Sequence, residues 1–278
     1  VSGGAFWIDG AFADPAEAVV GIDDRGFLLG HAAFETMRCL EGRLRRWQAH
    51  RTRLEGGLAY LGIKRPALLD GVPHAVAQLA NRLGLTDAVA RLTVTAGEGG
   101  GGLALRTDVP AQLVLTLKPR EAPPDAVSVE VVEGARRSGS PGERFKLSGY
   151  ADLIAARREA AAAGADRAVV TGPGGVLACA DCATLFWIAE GRLFTPSLES
   201  GALAGVTRSA LIKAAGADGL EIAEVRAGPE ALMEAEAAFT TNAVEGVVAV
   251  SAVNGLAKPA DHPLITRLRA LEQAADQP

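Results

Sequence analysis

Lys118-Pro119-Arg120-Glu121-Ala122-Pro123-Pro124-Asp125 divides this chain of 278 residues. Each proline locks φ and removes a backbone donor, so the stretch is expected to form neither helix nor central strand. It reads as a connection between a body spanning 1–117 and another spanning 126–278. Behind it, Leu113–Leu117 and Val89–Ala96 read as strands, separated by the break Gly97-Glu98-Gly99-Gly100-Gly101-Gly102. Arg46–Leu61 carries leucines at 54, 58 and 61, a helical spacing. Phe6–Phe12 reads as a hairpin turning on Asp9-Gly10. Ahead of the connection comes the strand Val127–Val132, then an alanine-rich helix from Tyr150 to Ala163 ended by Gly164. Arg167–Thr171 and Val176–Leu177 flank the turn Gly172-Pro173-Gly174-Gly175, and Thr184–Ala189 follows. Gly205-Val206-Thr207-Arg208 opens another helix, and Ala237–Thr241 and Val247–Val250 read as strands. Strands and helices mix without the alternation of a doubly wound fold, so the expectation is α+β in two domains.

Composition narrows the partners. Hydrophobic residues make up 49% of the chain and charged residues 22%, with a net charge of −5, an ordinary globular balance. Basic residues are interspersed with acidic ones, which argues against a nucleic-acid or membrane surface. No apolar run reaches the roughly 18 residues of a membrane span. The start, Val1-Ser2-Gly3-Gly4-Ala5-Phe6-Trp7, lacks the basic and apolar segments of a signal peptide. Three cysteines (Cys39, Cys179, Cys182) do not suggest a disulfide framework, and the expected location is the cytoplasm.

The chemistry-bearing residues are individually weak signals. Cys179-Ala180-Asp181-Cys182 is a CxxC pair without the second pair that a structural zinc needs, and His31, His50, His74 and His262 share no metal spacing; no metal is expected. Arg43, Arg45 and Arg46 read as a solvated face. Gly99–Gly102 is not followed by GK[ST], so a loop is expected rather than a phosphate cradle. At Gly205–Arg208, exposed N–H groups and a hydroxyl at a helix start suit either an anion or an N-cap. Lys146, in Arg144-Phe145-Lys146-Leu147-Ser148, is a lysine before a helix.

Their order and spacing resemble the class-IV aminotransferases, the fold-type-IV pyridoxal-phosphate (PLP) enzymes. Asp24-Arg25-Gly26-Phe27-Leu28-Leu29-Gly30-His31-Ala32-Ala33-Phe34-Glu35-Thr36-Met37-Arg38 resembles the family's DRGxxxGDGxFExxR opening, and His50-Arg51-Thr52-Arg53-Leu54 its HxxRL helix. Lys146 stands where the cofactor-bearing lysine is expected. Leu185-Phe186-Trp187, Thr195-Pro196, Leu203-Ala204-Gly205-Val206-Thr207-Arg208 and Thr241-Asn242-Ala243-Val244-Glu245-Gly246-Val247 follow in family order. The resemblance runs from about residue 6 to about residue 255. It implies a small N-terminal α/β domain, a larger pseudo-barrel domain, and a homodimer with its active sites at domain and subunit interfaces. It also implies PLP as a Schiff base on Lys146, Arg53, Val206 and Thr207 at the phosphate, and Tyr150 at the phenolic oxygen. Asn242 and Ala243 fall in the late cofactor-binding loop, and Phe27, His31 and Arg91 on the substrate side.

Several positions depart from the pattern. The glutamate that faces the pyridine nitrogen counts onto Cys179, with Asp181, two residues on, as the alternative. Thr184 replaces an asparagine, His31 an acidic residue, and Ala243 a threonine. Ala96 stands where D-amino-acid-specific members tend to carry arginine. The implied activity is transamination between an amino acid or amine and a keto acid. Lys146-Leu147-Ser148-Gly149-Tyr150 also has the lysine-to-tyrosine spacing of aminodeoxychorismate lyases, so an elimination chemistry is the second expectation, and a non-catalytic PLP binder a third.

Overall fold

A computed structural model describes residues 6–104, 109–132, 134 and 140–275; the expectation about a leader, made partly on residues 1–5, falls there outside the described residues. The chain forms two compact units, Val1–Glu121 with Phe145–Gly149, and Ala122–Arg144 with Tyr150–Pro278. The break between residues 121 and 122 lies inside the proline-rich stretch. That the second crossing returns residues 145–149 to the first unit was not foreseen.

In the first unit, β1 (Phe6–Ile8) and β2 (Ala11–Ala13) form the expected hairpin. Asp9 and Gly10 both take positive φ, as a two-residue turn between strands demands. Next come α1 (Arg25–Leu29), β3 (Ala32–Leu40), β4 (Arg43–Leu44), α2 (Trp47–Leu61) and α3 (Val72–Leu83). The unit continues with β5 (Asp87–Thr95) and β6 (Gln112–Pro119). The strands form one sheet in the order β2-β1-β6-β5-β3-β4, every pair antiparallel. Alternation sends Met37, Cys39, Leu92, Val94, Leu113 and Leu115 to one face, where Leu54 and Leu58 of α2 and Val76 and Leu79 of α3 cover them. Each fully buried leucine there contributes about 1.5–3 kcal/mol.

The proline stretch needs a correction at its start: Lys118 and Pro119 belong to β6. β6 pairs with β5 as far as Pro119. There the Arg120 N–H donates to the Asp87 carbonyl, so the preceding nitrogen, that of Pro119, points away from β5 and forfeits no bond to it. The sequence reading also missed α3, whose Val72, Ala75, Val76, Leu79 and Ala80 are buried at helical spacing.

The second unit holds β7 (Ala126–Val132), α4 (Ala151–Ala162), β8 (Arg167–Thr171), β9 (Leu177–Ala180), β10 (Thr184–Ala189) and β11 (Arg192–Pro196). It goes on with α5 (Val206–Ala217), β12 (Ile222–Val225), α6 (Pro229–Met233), β13 (Ala237–Asn242), β14 (Gly246–Val253), β15 (Leu256–Ala257) and α7 (Pro263–Ala274). Its nine-stranded sheet runs β12-β11-β10-β13-β14-β7-β8-β9, with β15 beside β14. The β11–β12, β14–β7 and β7–β8 pairs are parallel and the others antiparallel, the mixture expected of an α+β fold. One face packs Phe186, Ile188, Phe239, Val247 and Ala249 against Leu211 and Ala215 of α5 and Ile265 and Leu268 of α7. The other face carries Leu185, Trp187, Ala238, Val248 and Val250. A third cluster joins Leu153, Ala156 and Ala160 of α4 to Val132, Ala168, Val170 and Cys179.

Candidate active site

β3 sends successive side chains to opposite faces. Glu35, wholly buried, turns to α2, where His50 and Arg53 lie three residues apart and so share a helix face. Arg53 donates to both carboxylate oxygens, Nε to Oε1 at 2.8 Å and Nη2 to Oε2 at 2.5 Å, and His50 Nδ1 lies 2.6 Å from Oε2. Burial alone would raise the Glu35 carboxyl, but the hydrogen bonds and charges of His50 and Arg53 outweigh it and hold it below the usual 4.5. Burial is the largest influence on His50 and lowers it from the ordinary 6.5, against the pull of Glu35. The cluster at neutral pH is thus a Glu35–Arg53 ion pair with a neutral imidazole donating through Nδ1. This bidentate pairing fixes the Arg53 guanidinium in orientation.

On the other face of β3, Phe34 gathers two cations. The Arg91 guanidinium lies 3.8 Å from its ring centroid and Lys146 Nζ 4.7 Å away, both within cation–π range. Lys146 arrives on a short ladder: the Phe34 N–H donates to the Lys146 carbonyl at 2.9 Å and the Ser148 N–H to the Ala32 carbonyl at 2.8 Å, around the antiparallel bridge Ala33–Leu147. Gly56 of α2 makes room for this segment, since a Cβ there would come within 2.6 Å of the Phe145 ring. A mid-helix glycine costs about 1 kcal/mol relative to alanine, and close approach of the lysine segment is the return. Gly149 takes φ +106°, a conformation that disfavours any side chain.

The DRG segment is a clasp. Asp24 caps α1 through Gly26 and Phe27 N–H and accepts from Thr95 Oγ1 at 2.5 Å. Arg25, buried, donates to the carbonyls of Gly100 and Gly102 at 3.1 and 2.6 Å, so the glycine run is tied down. Arg25 Nε also donates to His31 Nδ1 at 3.1 Å. His31 must therefore carry its proton on Nε2, which faces the Leu61 carbonyl at 2.9 Å. Both ring nitrogens are engaged inside the unit. Phe27, one turn away, is 72% exposed.

In the second unit, Tyr150 stands at the start of α4 and packs on the cluster that contains Cys179. Asp181 accepts through Oδ2 from Arg157 Nη1 at 2.6 Å and from the Ala168 N–H at 3.1 Å, while its Oδ1 is buried with no partner among the described residues. Val206 and Thr207 begin α5 and are buried, and the N-cap residue of that helix is Gly205, which has no side chain to cap it. Asn242 folds its loop, accepting from the N–H groups of Val244 and Glu245 through Oδ1 and donating to Glu245 through Nδ2. Ala243 sits within that turn. Arg167 braces it through Glu245 at 2.7 Å and reaches Thr240 Oγ1 at 2.8 Å. Among the described residues no group of His, Cys, Asp or Glu could hold a metal ion.

The family description "Amino-transferase class IV" matches residues 32–253. This chain belongs to the class IV aminotransferases. The family is PLP-dependent, and its members are enzymes. An aminodeoxychorismate lyase of Bacillus subtilis is 30% identical over 247 residues, 87% of this chain and 84% of that protein. A branched-chain-amino-acid aminotransferase of Pseudomonas aeruginosa is 25% identical over 263 residues, 91% and 85% of the two chains. The crystal structure of the Escherichia coli branched-chain amino acid aminotransferase superposes with a TM-score of 0.90 at 22% identity, covering 96% of this chain and 93% of that one. That likeness carries the two-domain fold-type-IV architecture.

For this class IV aminotransferase the sequence reading named Lys146, Arg53, His31 and Arg91 but missed their partners. Glu35 was the detectable omission, because a glutamate inside an apolar strand run must meet a cation, and the His50–Arg53 helix face offers two. Phe34 gave no comparable signal, since Arg91 and Lys146 lie far along the chain, and Arg25 was passed over although it stands only six residues from His31.

Proposed function

We propose that the chain catalyses transamination, moving an amino group between an amino acid or amine and a keto acid, with pyridoxal 5'-phosphate carried on Lys146. The observation that carries this reading is the presentation of Lys146, whose main chain is laddered to β3 while its amine rests over Phe34. An aldehyde cofactor needs a primary amine held in this way. A phosphate monoester needs an anion cradle, and the start of α5, whose N-cap is a glycine, is assigned that part, with Val206 and Thr207 donating N–H and hydroxyl bonds. Arg53, already oriented by Glu35, is assigned to phosphate by the resemblance, since a guanidinium suits such a group, and the Asn242–Ala243 turn is assigned to cofactor binding too. Tyr150 is assigned to the phenolic oxygen and Cys179 to the pyridine nitrogen; their shared cluster supports that choice, and Asp181, whose Oδ1 is buried without a partner among the described residues, is the alternative.

When bound, the cofactor supplies an electron sink that acidifies the hydrogen on the substrate's α-carbon. Lys146 Nζ would be the general base that takes this proton. Arg91, beside the lysine on Phe34, attracts a substrate carboxylate. Phe27 offers apolar surface on the substrate side, and His31, fixed by Arg25, stiffens the loop that leads to it. A lyase reading has its own support in the Bacillus subtilis relative and in the Lys146-to-Tyr150 spacing; the same base would then serve an elimination.

Mixing protein, PLP and an amino donor distinguishes these. Conversion of the absorption spectrum to the pyridoxamine form supports transamination, little conversion with product release from a ring substrate supports the lyase, and no covalent adduct at Lys146 on borohydride treatment ends both. We further propose a homodimer in the cytoplasm. Val19, Val20, Ile22, Phe27, Leu28 and Leu29 are exposed apolar side chains, a string that a second copy would cover; sedimentation of Ile22→Asp against the parent tests it. All three cysteines are free, which suits a reducing compartment, and among the described residues no helix is long and apolar enough to cross a membrane.

A further inference from the structure

The face of the second sheet that α5 covers is apolar until the helix begins. Phe186 and Phe239, directly paired across β10 and β13, stack at 4.9 Å between centroids beneath Leu211 and Ala215 of α5. Side chains two residues apart on a strand share a face, so the next pair on this side is Thr184 with Thr241. Here, at the level of the first turn of α5, the aromatic pair gives way to two hydroxyls. A Cβ on Gly205, the residue before the helix, would lie 2.8 Å from Thr184 Oγ1, so the glycine keeps the space above that hydroxyl open.

Thr241 is 2% exposed, and its Oγ1 has no hydrogen-bond partner among the described residues. An unpaired buried hydroxyl is costly, and native structures rarely keep one without a use. Its neighbour Thr240 faces the other way and is fully engaged by Arg167. Arg208, in the same first turn of α5, donates from Nη2 to Glu224 and to the Pro196 carbonyl, and its Nε is a second buried polar atom with no partner among the described residues.

We propose that the Thr241 hydroxyl, seconded by Thr184, completes an anion cradle at the start of α5 and donates directly to a bound phosphate monoester. The proposal deepens the PLP reading, since that cofactor carries such a group, and it explains how a loop with Ala243 in place of a threonine still supplies a hydroxyl from this strand. α5 has twelve residues, long enough for its N-terminal N–H groups to favour an anion, and a hydroxyl bonded to an anion is a strong donor.

The test titrates the full chain, freed of cofactor, with PLP, with pyridoxal and with inorganic phosphate, for the parent and for Thr241→Val, Thr241→Ser and Thr184→Val. Thr241→Val should weaken PLP and inorganic phosphate by the same factor, roughly tenfold or more, and leave pyridoxal, which lacks the phosphate, unchanged. Thr241→Ser should restore parental affinity, and Thr184→Val should lose less. Parental phosphate and PLP affinity in Thr241→Val, with PLP still trapped on Lys146, overturns the cradle and spares the PLP reading. Phosphate binding that depends on Thr241 in a chain that never captures PLP on Lys146 supports the cradle and sinks the PLP reading. Should Thr241→Val fail to melt like the parent, Thr241→Ser and Thr241→Ala decide: equal phosphate affinity in both overturns the proposal.

Discussion

Two buried polar groups in this molecule are built on opposite terms. In the first unit, Glu35, Arg53 and His50 complete one another: one carboxylate receives three hydrogen bonds, and its charge is matched. In the second, Thr241 keeps a buried hydroxyl without a partner among the described residues beside a helix start whose N-cap is a glycine. A finished cluster holds the fold by itself, whereas an unfinished one is completed by something that arrives. The contrast is not between the units as such, because Arg167, Thr240 and Glu245 form a finished cluster on the reverse face of the strand that carries Thr241.

The comparison breaks most severely at Glu35. Glu35→Leu leaves a mostly buried guanidinium without its counter-charge and should lower stability by about 3–5 kcal/mol, read by urea denaturation. A loss under about 1 kcal/mol would mean that the cluster does not hold α2 to its sheet. Acid attacks the same cluster more gradually. Both Glu35 and His50 titrate below their unfolded values, so in the folded chain each resists taking up a proton. Stability from both is present at neutral pH and is lost as pH falls, first below the ordinary histidine value of 6.5 and then through the carboxylate range. A melting temperature that is flat from pH 7 to pH 5 would contradict this, and His50→Phe should remove the upper part of the slope.

How much of this was legible depends on the reach of each contact. The helix start at Val206 was readable from a local pattern, whereas Lys146 and Arg53 stood out only through the resemblance to the family's motifs. The α+β class followed from the irregular order of strands and helices. Glu35 hid as an interruption in an apolar run, and its role needed the 15-residue jump to His50. The pairing of Thr184 with Thr241 depends on strand register across the segment between them, which no local pattern reports. Gly149 and Gly56 drew no structural reading from the sequence. One supplies a positive φ and the other clearance for Phe145, and both needs belong to the folded chain.

Adjacent threonines sharpen the comparison at smaller scale. Thr240→Val strands a buried Arg167 donor and should cost about 1–3 kcal/mol in the same urea assay. Thr241→Val, one residue along, removes a hydroxyl that was never paired and should be neutral or stabilising by up to about 1 kcal/mol. Equal losses at the two positions would show that Thr241 is structurally engaged after all.

The ladder that carries Lys146 also sets an order of events during synthesis. β3 and its partner β5 are complete by residue 95, yet the other edge of β3 at Ala32–Phe34 is closed only by residues 146–148. Until those residues leave the ribosome, the nascent chain carries an open strand edge, a surface that templates pairing with another chain. A fragment stopped at Glu121 keeps that edge open for good, so the first unit expressed alone is set up to aggregate where the full chain is not.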